Sequence, residues 1–350
     1  MKSRTVSFSK NSTNIFFHIL TQCNLKCRHC YINPEQQGKN SLPLPLIEAW
    51  LSVFVENPPE LSNNIKEANV IFLGGEPTLH PDLPQAVKKA KELGYRSVTI
   101  DTNGYLFNDI LSKVEPNQVD FFSFSLDGAT GQTNDMIRGR GSYDKCTSGI
   151  KKAISRGFNT SLIYTISRDN IHELDMMPPL LKDLGINRFF IQVIGLRGKA
   201  AHSDTSVRQP SDMYSATNLQ SSRKEWMQIV PRAAKKVAEL GITVTYPKVF
   251  LSDKEPFECA ALVADNYFIF PNARVYRCPL CEDFPFHSMA FHENRLIRTP
   301  RINESDLFAL DIPEGCVMNR LIQPYNLIYR NDGTPEYKIA CCMLKEEICV

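Results

Sequence analysis

The sequence lacks long apolar runs and lacks an excess of charge of either sign. Apolar stretches such as Ile15 to Leu20 are far too short to cross a bilayer, and the polar start Met1-Lys2-Ser3-Arg4 has no signal-peptide core. Lysine and arginine total 40 against 38 aspartate and glutamate, and no dense basic block occurs. We therefore expect no membrane partner, no nucleic-acid partner and a cytoplasmic location.

Extended disorder also has little support in the composition. The 350 residues are 43% hydrophobic, which is enough for a packed core. This length predicts one large domain with a smaller one beside it.

Cysteine, by contrast, is abundant. Three of the eleven cysteines cluster at Cys23, Cys27 and Cys30, one stands alone at Cys146, and seven lie from Cys259 onward. A reducing compartment keeps thiols free, so metal ligation is favoured over disulfides. The uneven distribution predicts two metal centres in two modules.

Strand-like apolar runs alternate with amphipathic stretches through most of the chain, a pattern typical of repeated βα units. We predict six strands, at Ile15–Leu20, Asn69–Leu73, Ser97–Asp101, Phe121–Ser125, Thr160–Ile166 and Phe189–Ile194. The predicted helices are Pro45–Val55, Leu83–Leu93, Tyr105–Val114, Tyr143–Arg156, Ile171–Leu184 and Glu225–Leu240. Right-handed crossovers wind such units into an α/β fold, either an open (β/α)6 barrel or a doubly wound sheet. Functional groups then belong at the carboxyl ends of the strands.

The composition and the hydrophobic pattern change at two places along the chain. Residues 197–222 are polar and without a period, so they form either a lid or substrate loop or a solvated insertion. From about residue 257 the strands become short, and Pro271-Asn272 separates two of them as in a hairpin. We expect a first domain over 1–256 and a second over 257–350.

The cysteine triplet directly follows the first predicted strand. Three thiolates within eight residues can hold one face of an iron–sulfur cube and leave the fourth iron open to a ligand. A zinc knuckle that uses His29 is the alternative interpretation.

This CxxxCxxC loop resembles the signature of radical S-adenosylmethionine (radical SAM) enzymes, which have a partial (β/α)6 TIM barrel. The resemblance implies that Cys23, Cys27 and Cys30 bind a [4Fe–4S] cluster and that its open iron chelates SAM. It places His29 near the adenine. It also implies that one electron from the cluster cleaves SAM to a 5′-deoxyadenosyl radical, which abstracts hydrogen from a substrate.

Further motifs follow later strands in the order expected for that family. Gly74-Gly75-Glu76-Pro77 ends the second strand, where two glycines allow close backbone approach and a carboxylate can accept hydrogen bonds from an ammonium group. By resemblance this GGEP motif binds the methionyl amine of SAM. Three further motif matches imply SAM contacts. The first is Thr102 with Asn103, the second is Ser125 with Asp127, and the third is Arg138, which is expected to pair with the carboxylate of SAM. Gln192 and Thr165, on the last two predicted strands, are candidates for lining the pocket.

The late cysteines resemble the SPASM and twitch domains, which carry auxiliary [4Fe–4S] clusters. We expect one such cluster on Cys259, Cys278, Cys316 and either Cys341 or Cys342, because neighbours on an extended strand point to opposite sides. Ala273 occupies the family's glycine position, which predicts a turn without a strongly positive φ. A zinc site, with His287 and His292 as candidate ligands, is the alternative.

The expected function is therefore a radical SAM enzyme that takes electrons from a donor such as flavodoxin or ferredoxin. We slightly favour oxidation or rearrangement of a small molecule, because peptide maturases often begin with a recognition domain of about a hundred residues and this chain reaches its first strand at once. A peptide-modifying maturase is the alternative. From another class, the chain could be a non-catalytic iron–sulfur redox or sensor protein, against which the GGEP carboxylate argues.

Overall fold

The computed structural model describes residues 1–8, 12–56, 67–202 and 219–349, and its centre is a thirteen-stranded sheet. The strands of the chain are β1 Lys2–Val6, β2 Ser12–Leu20, β3 Glu67–Gly74, β4 Ser97–Thr102, β5 Phe121–Ser125, β6 Thr160–Ile166, β7 Arg188–Val193, β8 Thr243–Pro247, β9 Phe250–Ser252, β10 Asp265–Ile269, β11 Arg274–Tyr276, β12 Met289–His292, β13 Arg295–Arg298, β14 Tyr337–Ile339 and β15 Lys345–Cys349. In the sheet they follow the order β1-β15-β8-β7-β6-β5-β4-β3-β2-β10-β11-β12-β13, and β14 pairs separately with β9.

Helices connect the strands of the sheet. They are α1 Pro34–Gln37, α2 Leu44–Glu56, α3 Leu83–Glu92, α4 Ile110–Lys113, α5 Gly131–Arg138, α6 Ser142–Ser155, α7 Met177–Leu184, α8 Lys199–His202, α9 Arg223–Ala238, α10 Ala260–Val263, α11 Glu304–Phe308 and α12 Asn319–Ile322. None of the helices in the described ranges is long and apolar enough to cross a membrane.

The predicted α/β barrel architecture is confirmed by the central run of parallel strands. Strands β2 to β7 pair in parallel with sequential neighbours, as expected when each crossover carries a helix. Their apolar side chains are buried, as Phe17, Phe72 and Phe122 show with no exposed surface. On the helical side, α9 buries Trp226 and Val230 at a spacing of four residues, the stripe expected of a core-facing helix.

The structure extends the six predicted strands by one parallel strand at each side. β8 pairs with β7 and β10 pairs with β2, both in parallel. Neither had been predicted as part of the barrel sheet, because the sequence pattern of a short strand does not show its pairing partner. The second predicted domain therefore contributes strands directly to the sheet of the first.

Several predicted elements differ locally from the structure. The predicted helix 105–114 is a 3-10 turn at 107–109 followed by α4, because Leu106, Asn108 and Asp109 adopt positive φ angles that interrupt an α-helix. The predicted helix 171–184 begins as a 3-10 segment, Ile171–Met176, before α7. The predicted polar loop contains α8, and its residues 203–218 lie outside the described residues.

The turn between β10 and β11 corrects one expectation. Ala273 has φ 68°, the left-handed conformation that its side chain was predicted to avoid. The surrounding contacts hold it there, since its N–H donates to the Phe270 carbonyl and its carbonyl accepts from the Phe291 N–H. These hydrogen bonds offset a conformational cost of about 1–2 kcal/mol, so this turn keeps the glycine-like conformation with an alanine.

Candidate active site

A cavity of about 480 Å³ lies at the carboxyl ends of the parallel strands. Its volume is in the range of small-molecule and cofactor sites. Predicted site residues from seven separate segments line it, namely Cys23, Cys27, His29, Cys30, Gly74, Gly75, Glu76, Thr102, Asn103, Ser125, Arg138, Thr165 and Gln192. The structure thus brings together almost every residue predicted for the first centre.

The three-cysteine loop occupies the segment between β2 and α1. The Leu25 N–H lies 3.4 Å from the Cys23 sulfur, and the Asn103 amide nitrogen lies 3.9 Å from it. The Cys27 sulfur lies 3.8 Å from the Arg138 carbonyl oxygen. Burial raises the pKa of the Cys23 thiol to about 11, so in the protein alone this thiol is neutral at pH 7. Ligation to a metal would favour its thiolate.

Gly74 and Gly75, at the end of β3, are required because the start of the cysteine loop packs directly against them. A Cβ atom on Gly75 would lie 2.0 Å from the Gln22 carbonyl oxygen, and one on Gly74 would lie 2.2 Å from the Leu20 carbonyl oxygen. The Gly75 N–H donates to the Leu20 carbonyl at 3.0 Å, and the Glu76 N–H donates to the Gln22 carbonyl at 2.9 Å. The turn is therefore fastened to the start of the cysteine loop, at a distance that only glycine permits.

Glu76 is almost completely buried beside this turn. One carboxylate oxygen accepts hydrogen bonds from the Thr78 N–H, the Thr78 hydroxyl and the Thr102 hydroxyl, at 3.1, 2.6 and 2.8 Å. The other accepts from the Asn103 N–H at 2.8 Å. Burial raises the pKa of Glu76, and these four donors oppose that rise. The carboxylate thus joins the end of β3 to the end of β4.

Asp127 holds two cavity residues from behind. It is fully buried, and one carboxylate oxygen lies 3.3 Å from His29 Nε2 and 2.5 Å from Arg138 Nε. The Thr165 N–H donates to its other oxygen at 2.7 Å. Asp127 does not line the cavity. The Asp127 carboxylate therefore lies behind His29 and Arg138 and supports both side chains.

Burial and the Asp127 carboxylate shift the pKa values of the two basic side chains, His29 and Arg138, in opposite directions. Burial lowers the pKa of His29, and Asp127 only partly offsets the effect. Burial also opposes the charge of Arg138, but Asp127 and nearby thiols raise the pKa of its guanidinium above the ordinary value. Arg138 is thus a fixed cation at the cavity wall, and His29 is neutral at pH 7.

Two cavity residues that the sequence interpretation missed form a hydrogen-bonded pair. His18 Nδ1 lies 2.9 Å from the Ile269 carbonyl oxygen, which can only accept, so Nδ1 carries the proton. Nε2 then accepts from the Tyr31 hydroxyl at 2.8 Å. Burial lowers the pKa of His18 to about 3, so the ring is neutral. His18 could have been found from its place two residues before the end of β2, on the same strand face as Phe16, which also lines the cavity.

Four further ionisable residues of the cavity, including Glu282, were also missed. The Arg197 guanidinium pairs with the buried Glu282 carboxylate and lies over the Tyr31 ring, 4.2 Å from its centroid. Asp101 lies near the end of β4, and burial raises its pKa to about 7. Lys345 begins β15. Asp101 directly precedes the predicted Thr102, whereas no local pattern points to Arg197 or Lys345.

A second, small apolar cavity lies beside the first. It is lined by five cysteines, by Arg277 and by apolar side chains, and the cysteines are Cys259, Cys278, Cys316, Cys341 and Cys342. The prediction that Cys341 and Cys342 point to opposite sides is wrong. The chain turns here, with the Leu344 N–H donating to the Cys341 carbonyl, so both side chains reach the same cavity. Cys281 is fully buried next to them, and Cys146 is buried in α6.

The donor sets at both cavities suit iron–sulfur clusters. Neither set contains a disulfide, and burial raises the pKa of the Cys259 thiol to about 12. Within the described ranges, no three His, Cys, Asp or Glu side chains converge as ligands of a single metal ion. In a [4Fe–4S] cubane each cysteine ligates a different iron. Its ligands are therefore farther apart than the ligands of a single metal ion.

Fold and site together define a parallel α/β barrel with a three-cysteine loop at the catalytic edge of its sheet. Residues 18–177 match the model of the Radical SAM superfamily. This part of the chain therefore resembles a radical SAM domain, and the curated relatives that the chain is similar to are named as enzymes.

Curated relatives of the chain carry several different activities. It is 31% identical over 218 residues to Fe-coproporphyrin III synthase of Methanosarcina barkeri, covering 60% of this chain and 52% of that protein. It is 31% identical over 170 residues to a probable GTP 3',8-cyclase of Saccharolobus islandicus, with 48% and 53% covered. It is 28% identical over 218 residues to pre-heme d1 synthase of Dinoroseobacter shibae, with 59% and 51% covered. The chain spans about half the length of these relatives.

Solved structures show the same fold over most of the chain. Streptococcus suis SuiB bound to precursor peptide SuiA matches with a TM-score of 0.60 and 14% identity, covering 94% of this chain and 70% of that one. Native anSMEcpe with bound AdoMet matches with a TM-score of 0.58 and 13% identity, covering 89% and 88%. At these identities the likeness concerns the fold alone.

Proposed function

We propose that the protein is a radical SAM enzyme that binds S-adenosylmethionine in the large cavity, beside a [4Fe–4S] cluster on Cys23, Cys27 and Cys30. The observation that carries this proposal is the convergence of the cysteine loop, the Gly74-Gly75 turn and Arg138 on one cavity at the strand ends. When bound, the cluster supplies one electron for reductive cleavage of SAM, which yields the 5′-deoxyadenosyl radical that abstracts hydrogen from the substrate.

The chain's own residues then bind and orient SAM. The Gly74-Gly75 backbone allows the methionyl end to approach closely, and Arg138 offers its remaining guanidinium N–H groups to the carboxylate while Asp127 holds Nε. We propose that His29, which is neutral and paired with Asp127, contacts the adenine, as the resemblance implies. Ser125, Thr165 and Gln192 supply polar groups from successive strand ends. Glu76 fixes the turn and the Asn103 backbone for this purpose, because its oxygens already accept four hydrogen bonds.

We further propose that residues 257–350 form a twitch-like region that carries one auxiliary [4Fe–4S] cluster. Cys259, Cys278, Cys316 and Cys341 are its proposed ligands, with Cys342 as the rival of Cys341. Their support is a shared apolar cavity to which four separate chain segments each bring a thiol. A low-potential carrier such as flavodoxin or ferredoxin is the proposed electron donor.

For the substrate we propose a small molecule. The relatives with about 30% identity are named for a coproporphyrin, a GTP cyclisation and a heme d1 precursor. Peptide modification is the second candidate, since SuiB was solved with a precursor peptide and covers nearly the whole chain in fold. The curated relatives share about twice the sequence identity that SuiB does, so the small-molecule proposal has the greater weight.

Anaerobic reconstitution tests the proposal. The wild type should contain about eight irons and should produce 5′-deoxyadenosine from SAM and dithionite. Replacing Cys23, Cys27 and Cys30 by alanine should remove about four irons and all 5′-deoxyadenosine, whereas the control Cys349→Ser should change neither. About four irons in the wild type, all lost in the triple variant, would refute the auxiliary cluster. About eight irons with no 5′-deoxyadenosine, with or without a panel of tetrapyrroles, nucleotides and peptides, would favour a redox protein.

A further inference from the structure

Lys345 is the cavity residue for which the proposed function has no use. It begins β15, which runs antiparallel to β8, and it pairs with Pro247 at the carboxyl end of that strand. This register carries a residue near the end of the chain to the catalytic edge of the barrel sheet. The Lys345 side chain lines the large cavity.

The ammonium group of Lys345 has no carboxylate partner within 4 Å in the part of the chain that the structure describes. The two other cations at the cavity wall, Arg138 and Arg197, each pair with a buried carboxylate. The acids next to Lys345 are engaged elsewhere, because Glu347 pairs with Arg4 and Glu346 accepts from the Thr5 hydroxyl. A cation in this position is expected to be balanced by negative charge from a bound group.

The Lys345 side chain is hydrogen-bonded to a residue that also lines the second cavity. Its Nζ donates to the Cys342 carbonyl oxygen at 3.1 Å. Cys342 and Met343 line both cavities, as do Pro279 and Leu280, so a single layer of residues separates the two. Lys345 therefore stands on the large-cavity side of that layer, bonded to a residue that faces the five-cysteine cavity.

We propose that Lys345 is a positioning residue that raises the reduction potential of the auxiliary cluster through its positive charge. This inference rests on the proposed function, because it requires the cluster on the late cysteines. Reduction adds one electron to the cluster, and its added negative charge is stabilised by a nearby cation in a poorly solvated wall. The electron comes from the reductant, no bond is formed or broken, and Lys345 neither gains nor loses a proton.

The test is an anaerobic redox titration of the full-length chain, followed by electron paramagnetic resonance of the reduced cluster. Cys23, Cys27 and Cys30 are replaced by alanine in every sample, so the auxiliary cluster alone gives the signal. In this background Lys345→Gln removes the charge but keeps an amide donor for the Cys342 carbonyl, and Lys345→Arg keeps the charge. Lys236→Met, on α9 in an exposed ion pair with Asp175, is the matched control.

Lys345→Gln should shift the midpoint potential to a more negative value, by more than the spread between the background protein and the control. Lys345→Arg should stay near the background. If Lys345→Gln loses its iron, Lys345→Met replaces it in the same comparison, and loss of iron in both variants would show a purely structural role and overturn the inference. About four irons with an unchanged midpoint in Lys345→Gln would also overturn it. No iron in the triple-alanine background would instead refute the auxiliary cluster itself.

Discussion

The Glu76 carboxylate gives the sharpest prediction, because its four donors are all known. In Glu76→Gln, one oxygen can keep the Thr78 and Thr102 bonds, but the new NH2 group then faces the Asn103 N–H. Two donors cannot bond to each other, so the Asn103 N–H loses its partner, at about 1–3 kcal/mol. Loss of charge weakens the remaining bonds by about 1 kcal/mol more. We expect the free energy of unfolding to fall by about 2–4 kcal/mol, and by more in Glu76→Ala.

Glu76→Gln should also weaken SAM binding. Asn103 also donates from its side chain to Asn24 in the cysteine loop at 2.8 Å, so a displaced Asn103 moves a neighbour of Cys23. We expect Glu76→Gln to bind SAM about tenfold more weakly, which corresponds to about 1.4 kcal/mol. Its iron content should stay normal because the three cysteines remain.

Urea unfolding followed by circular dichroism measures the first effect, and calorimetric titration of the reconstituted protein with SAM measures the second. Glu92→Gln, at the exposed end of α3, removes the same charge away from the site and is the control. If Glu76→Gln were as stable as this control and bound SAM with wild-type affinity, the carboxylate would not join the strand ends as described.

Three further predictions concern other parts of the site. Gly75→Ala should abolish SAM binding, because its Cβ would lie 2.0 Å from a backbone carbonyl oxygen, whereas Gly131→Ala, with only ordinary contacts at its Cβ, should bind normally in the same titration. Arg138→Gln should lower the free energy of unfolding by about 3–5 kcal/mol, since Asp127 is left buried without its cation; equal loss in the double variant with Asp127→Asn would refute this cause. Because the pKa of Asp101 is raised to about 7, its contribution to stability is lost as pH rises from about 4 to 7. Asp101→Asn should therefore gain about 3 kcal/mol more stability relative to the wild type at pH 8 than at pH 5, and an equal gain at both pH values would contradict the raised pKa.

Much of the parallel barrel was predictable because its sequence signals are local. The six central strands have strong apolar patterns, and parallel strands bring their carboxyl ends to one edge. A motif that follows a strand therefore lies near other such motifs, which is why Cys23, Gly75 and Arg138 meet at one cavity although they are distant in sequence.

The rest depends on contacts between distant segments, which no local pattern encodes. Lys345 reaches the cavity only because β15 pairs with β8, and Arg197 is fixed by Glu282 from the late part of the chain. Asp127 matched a motif, but the sequence spacing could not predict that its side chain is buried behind His29. The Cys341-Cys342 prediction was wrong because an extended chain was assumed where a turn occurs.

The position of β15 also has a consequence for how the chain folds. The strand lies between β8 and β1, and Arg4 on β1 forms its ion pair with Glu347, 343 positions later in the chain. Contacts over such a separation are slow to form, and on the ribosome they must wait until the last strand has been synthesised. The cysteine loop and the central strands are complete long before then. We therefore expect β1 to join the sheet last, so the order of synthesis separates formation of the first cluster loop from closure of the sheet edge that carries Lys345.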